Sequence, residues 1–208
     1  MKAFTDINSK LYRYTNFLMD FFLLNMLFLL TSMPIITIGV GLTSLSNVSI
    51  EMIEGKMSSP IKSYFTHFKN NLTRGIFIQL FLGSVLITLY FSSRLLFILP
   101  TISFILVSTG LILATIICLF VSLYIFPYSA RYENSFIKSL KVVFQLSLSN
   151  PKESSVMLLM VLTVISLGTL NIFWASLISF YFFFIGFSVS SLINSFITLK
   201  VFNQYPES

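Results

Sequence analysis

The chain has 208 residues, 56% hydrophobic and only 10% charged, with a mean hydropathy of +0.90. A water-facing domain carries about 25% charged residues, so this composition excludes a soluble globular protein and points to an integral membrane protein. The net charge of +6 comes without any Lys/Arg run, which argues against nucleic acid as a partner and for basic residues that mark one side of a membrane.

Segments of about ten residues with alternating polarity, the mark of a membrane barrel, are absent. The expected class is all-α: a polytopic helical membrane protein in one membrane domain, 1–208. Residues 3–15 read as a weakly amphipathic interfacial helix, with Phe4, Ile7, Leu11 and Tyr14 opposite Lys2, Asp6, Lys10 and Arg13. Residues 17–33 form the first apolar segment. It is longer than the core of a signal peptide, and "TSMP" is a poor cleavage sequence, so it is expected to be retained. Asp20 is expected to pair with Lys10, Arg13 or the interface, and Asn25 to hydrogen-bond the polar face of the segment that follows.

Pro34 marks a turn, because a proline cannot continue a helix and the residue before it disfavours one. Residues 36–53 are only weakly apolar. Thr37, Thr43, Ser44, Ser46, Asn47 and Ser49 suit an inner helix better than a lipid-facing one. Gly39, Thr43 and Asn47 recur every four residues, a small-residue face that admits a close neighbour. Ile38, Leu42, Leu45 and Met52 form a second stripe. The helix is placed centrally, with a re-entrant version left open. On this reading Gly39→Leu disrupts packing and Val40→Leu is mild. Glu51 and Glu54 are expected to be solvated.

The connector 60–73 has Ser59 as N-cap and Pro60 at the first helical position. Ile61, Tyr64, Phe65, Phe68 and Leu72 fall on one face, and Lys62 and Lys69 on the other, as in a helix lying in the interface. His67 is expected to be solvated, and alone it makes no metal site. Spans follow at 75–93 and 100–126; Cys118 behaves there as a small apolar group. A second amphipathic connector, 135–149, has Phe136, Ile137, Leu140 and Phe144 on its stripe, with Lys138 and Lys141 off it. Spans 156–172 and 174–199 complete the chain. Gln79 and Asn194 read as helix–helix hydrogen bonders.

One span before residue 54 leaves nine basic residues on one side and four on the other. Two spans, 17–33 and 36–53, leave twelve on one side and Arg94 alone on the other. The positive-inside rule prefers the second. The expected architecture is six transmembrane helices as three hairpins, with amphipathic cytoplasmic connectors, both termini cytoplasmic and short outer turns at 33–36, 94–99 and about 173. The candidate packing residues are Asn25, Pro34, Thr37, Gly39, Thr43, Asn47 and Asn194. Tyr64, Phe65, Phe68, Lys69, Arg131, Lys138 and Lys141 are candidates for a lipid or partner interface.

No Gly-rich phosphate loop, zinc motif or nucleophile elbow is present, so neither an enzyme nor a cofactor is expected. The stretches "NMLFLLTSMPIITIG", "YFTHFKNNL", "FPYSARYE" and "GFSVSSLINSF" together resemble the YesL-like family, bacterial integral membrane proteins of unknown function. Phe28 stands where that family often has Trp. The resemblance implies a bacterial plasma membrane and association with carbohydrate uptake. The expected function is a non-enzymatic accessory of a carbohydrate importer of the ATP-binding-cassette type, whose permease subunits would be its partners besides the lipid bilayer. The alternative is a small-solute or sugar transporter, or a channel, in its own right.

Overall fold

The computed structural model describes residues 2–96 and 100–205, with side chains from Thr15 onward except that of Ile102. All regular structure among them is helical. The helices are α1 (Lys2–Thr31), α2 (Ile38–Ile53), α3 (Pro60–Asn70), α4 (Leu72–Leu95), α5 (Thr101–Arg131), α6 (Phe136–Ser149), α7 (Pro151–Leu170), α8 (Ile172–Tyr181) and α9 (Phe187–Phe202). A π-helical turn, Phe182–Gly186, joins α8 to α9. Five segments are long and apolar enough to cross a membrane: Ile35–Ile53, Leu72–Leu95, Ser103–Arg131, Pro151–Leu170 and Ile172–Phe202; Thr15–Thr31 is a shorter apolar helix. The chain is thus an all-helical integral membrane protein.

Several boundaries differ from those expected. The N-tail helix and the first span are one continuous helix; the stripe expected on residues 4–14 and residues 97–99 of the expected second outer turn lie outside what is described. Pro127 does not end its helix, which runs on to Arg131. Ser59 has the extended backbone of an N-cap, but its hydroxyl makes no capping hydrogen bond. Asn171 does cap: its side chain accepts from Trp174 N–H at 3.0 Å, closing the turn between α7 and α8. Pro34 opens a short 3₁₀ turn, Ile35–Thr37. The Thr37 hydroxyl closes it by donating to the carbonyls of Thr31 (2.6 Å) and Pro34 (2.7 Å).

α2 is the centre of the molecule and packs on α1, α3, α4, α5 and α9. With its leading turn it is 61% buried, against 11–17% for the four other long apolar segments. Two hydrophobic clusters surround it. One joins Leu24, Phe28, Leu45, Val48 and Tyr64; the other joins α4, α5, α6, α7 and α9 through Ile78, Tyr124, Tyr128, Val143, Met157 and Phe202.

α2 packs on α1 but pairs more extensively with α3 and α4. Asn71 N–H still donates to His67 O at 2.9 Å and Gly75 N–H to Asn71 O at 2.7 Å, so α3 runs into α4 through a one-residue kink. α2 folds back antiparallel along this combined helix. Near the turn Glu51 meets Ser63 and His67; at the other end Gly39 meets Gly75 and Gln79. α3 is therefore a packed arm of a helical pair, with Tyr64 fully buried, and not a helix lying free in the interface. The start of α2 rests on the first turns of α4, and the far part of α4 has no buried residue after Leu82.

α6 also turns a different face from the one expected. Ser139, Val143, Leu146 and Ser147 are its buried side, while Ile137 and Phe144 are exposed. The rotation brings the Ser139 hydroxyl to Arg74, which the apolar stripe alone does not anticipate.

Candidate functional site

In a bilayer every backbone polar group needs an internal partner. Two asparagines meet this need where a helix is irregular. The π turn disturbs the regular i→i−4 ladder between α8 and α9. Asn25, fully buried on α1, supplies partners on both sides of it. Its Nδ2 donates to the carbonyls of Phe182 (2.9 Å) and Phe183 (2.7 Å). Its Oδ1 accepts from the N–H groups of Phe187 (3.0 Å) and Ser188 (3.3 Å). Asn25 was expected to bond the polar face of α2; it bonds the irregular backbone of the π turn instead.

The polar side chains of α2 bond mostly to the helix itself. Thr43 Oγ1 donates to Gly39 O (2.8 Å), Ser44 Oγ to Val40 O (2.7 Å), Asn47 Nδ2 to Thr43 O (3.2 Å) and Ser49 Oγ to Leu45 O (2.8 Å). Such back-bonding lets hydroxyls enter an apolar interior; Ser49 Oγ also reaches Ser191 Oγ of α9 at 3.1 Å.

The second repair is at Pro127. It has no N–H, so the carbonyl four residues earlier loses its helical donor. Asn194 Nδ2 of α9 donates to that carbonyl, Leu123 O, at 2.8 Å. Asn194 had been read as a helix–helix bonder; its acceptor is the one Pro127 leaves open.

Gly39 and Gly75 set how closely α2 approaches α4. A Cβ on Gly39 would lie 2.5 Å from Gly75 O, and one on Gly75 would lie 2.6 Å from Val40 Cα. Val40 is itself fully buried, so the mild outcome expected for Val40→Leu is revised: an added methylene there meets a packed wall.

At the α2–α3 turn, Glu51 is engaged and not merely solvated. Its carboxylate accepts from Ser63 Oγ at 2.5 Å and lies 2.7 Å from His67 Nε2. His67, expected to be free, thus ties α3 to α2. Tyr64 adds a bond between its hydroxyl and Thr31 Oγ1 at 2.7 Å, and burial pushes its phenol up to about 12. Phe68 stacks on Tyr64, while Phe65 and Ile61 are exposed. Lys69, Lys138 and Lys141 are exposed, and Arg131 reaches Asn203 Oδ1 at 3.2 Å. No group of three or more potential metal ligands occurs among the described residues.

Arg74 was not singled out from the sequence. Its guanidinium donates to Ser129 O (3.3 Å), Tyr132 O (2.5 Å) and Ser139 Oγ (2.8 Å), joining the start of α4 to the end of α5 and to α6. A lone arginine three residues into an apolar helix was the signal that could have found it.

A groove of about 890 Å³ opens between α5, α7 and α8–α9, with Leu42 and Ser46 of α2 on its floor. Asn194 lies at one end of it; Tyr181 and Phe182, beside the π turn, lie at the other. Its walls are aliphatic and aromatic, its polar lining consists of Ser, Thr and Asn with one Tyr, and it contains no charged residue.

A family model described as "Protein of unknown function, DUF624" matches residues 21–93. The matched part runs from Phe21 through α2 and α3 to near the end of α4, and includes Asn25, Gly39, Glu51, His67 and Gly75. No curated protein and no solved structure matches the chain.

Proposed function

We propose that this protein is a non-enzymatic accessory of a bacterial carbohydrate importer of the ATP-binding-cassette type, acting in the plasma membrane on the importer's assembly, stability or regulation. The observation that carries the non-transport part is the state of α2. Most of its hydroxyl and amide groups, the natural lining for a sugar path, are buried and bonded to their own helix; Ser46 alone among them lines the groove. A carrier coupled to ions would also need acids or bases inside the bundle, and the groove holds none. The link to carbohydrate uptake comes from the YesL-like resemblance, with which the match over residues 21–93 is in keeping.

The topology we favour keeps both termini and the connectors cytoplasmic. It treats α1 and α2 as an incomplete hairpin, because the start of α2 packs at Gly75 and not at the far end of α4. Exposed Ile61 and Phe65 on α3 are the surface offered to the permease subunits.

The test is affinity purification of the tagged chain in mild detergent with mass spectrometry. Permease subunits should co-purify and be lost in Ile61→Ser/Phe65→Ser, a pair chosen because neither side chain holds up the core as Tyr64 does. A chain that purifies alone and moves labelled sugar into liposomes would replace this reading with the transporter.

A further inference from the structure

The groove is shorter than the hydrocarbon core of a bilayer. Along α7 it runs from Val156 to Ile165, about 14 Å at 1.5 Å per residue. Along α8–α9 it runs from Asn194 back to Tyr181, about 20 Å on the same rise. The hydrocarbon core of a bilayer is about 30 Å thick, so one leaflet supplies about 15 Å. A transmembrane helix of a partner would need a seat along the full thickness; an acyl chain needs half of it.

Two lysines lie beyond one end of the groove, on the helices that line it. Lys152 precedes Val156 by one helical turn, and Lys152, Val156 and Met160 share a face of α7 by their i, i+4, i+8 spacing. Lys200 follows Ile193 by seven residues on α9, again the same face. Both lysines are exposed. They stand on the two helices that wall the groove, and their ends are brought together where Lys200 Nζ lies 4.0 Å from Glu153 Oε1. Two cations against one carboxylate leave the mouth net positive, above a trough without charge.

We infer that this groove binds an anionic phospholipid from the leaflet at that end, with an acyl chain between α7 and α9 and the headgroup phosphate at Lys152 and Lys200. The site goes beyond the accessory role and does not rest on it. Ammonium groups bind phosphate as point charges, and each lysine near an anionic headgroup strengthens binding several-fold. The hydrocarbon part is held by the apolar walls, so chain binding and headgroup choice are separable.

The experiment is native mass spectrometry of the full chain, stripped of lipid in mild detergent and titrated with dioleoyl phosphatidylglycerol or dioleoyl phosphatidylcholine. The wild type should keep one phosphatidylglycerol in preference to phosphatidylcholine. Lys152→Gln/Lys200→Gln should weaken the phosphatidylglycerol adduct about tenfold or more and leave phosphatidylcholine unchanged. Glu153→Gln should strengthen phosphatidylglycerol, and Ser190→Trp, which fills the trough, should weaken both lipids. Lys138→Gln/Lys141→Gln, on α6 away from the mouth, should change neither. The lysine variants lie on the surface, so they keep the test sharp even if Ser190→Trp misfolds. Equal retention of the two lipids by the wild type would overturn the inference. So would a phosphatidylglycerol loss as large in the α6 variant as at the mouth. A stripped chain whose dimer persists on adding either lipid and is lost in Ser190→Trp would assign the groove to a second copy and also overturn it.

Discussion

Asn25, Asn194 and Tyr64 show how single polar side chains are carried inside an apolar bundle. Each asparagine answers a backbone defect on another helix, one from a π turn and one from Pro127. The pairing of Asn194 with Pro127 is testable as a coupled pair. Asn194→Ala should destabilise the protein in detergent by about 1 kcal/mol, the usual range for a hydrogen bond between membrane helices. In a Pro127→Ala background, where residue 127 can itself donate to Leu123 O, the same substitution should cost little. A double-mutant cycle read by thermal unfolding gives the coupling; equal costs in both backgrounds would refute the repair. Tyr64 adds a pH dependence. Its phenol is raised from 10.0 to about 12, by burial first, against the opposing bond from Thr31. The unfolded phenol ionises above pH 10 while the folded one keeps its proton, so the contribution is complete below pH 10 and is lost as pH rises toward 12. Tyr64→Phe should flatten that part of the melting-temperature profile relative to wild type.

At the scale of elements, the α2 pair with α3–α4 depends on two glycines in contact. Gly39→Ala and Gly75→Ala each place a methyl group against backbone, within 2.5 Å and 2.6 Å respectively, and the helices must separate to admit it. Overpacking of this kind costs about 1–3 kcal/mol. Gly83 on the same helix has nothing within 4 Å of an added Cβ, so Gly83→Ala should be neutral or gain up to about 1 kcal/mol from helix propensity. Melting all three variants in one detergent separates a packing contact from a general intolerance of alanine. The small-residue pattern of α2 was readable in advance because it repeats every four residues. Its partner was not, since Gly75 stands at the edge of the next apolar run with nothing local to mark it as a contact. Likewise the stripe of α6 was legible as amphipathic, but Arg74 selects which side faces inward.

The whole molecule is packed tightly around α2 and at the end where α5, α6, α7 and α9 meet, while α4, α5, α7 and α8–α9 are mostly exposed over their apolar length. Lipid must cover these faces. The position of the Pro34 turn then decides between a complete and an incomplete first hairpin. In a Cys118→Ser background, a cysteine at Met33, which is 77% exposed, should resist an impermeant thiol reagent added outside intact cells, while one at Thr101 should react. Reaction at both positions would restore six full crossings; reaction at neither would place the far turn inside.

Helix content, apolar length and the gathering of basic residues in connectors were determined by the sequence alone, because each depends on residues close together in the chain. So was the place of α2 inside the bundle, since its hydroxyls would be poorly placed against lipid. What only the tertiary structure decided are the partners. The bond from Asn25 to the Phe182 carbonyl joins residues 157 apart, and no local pattern records which of several free carbonyls an amide will meet. The His67–Glu51 contact, the arm formed by α3 and the groove beside α7 are of the same kind. Each exists because helices of fixed length and fixed faces pack in one arrangement, and that arrangement is set by contacts between segments that the linear order keeps apart.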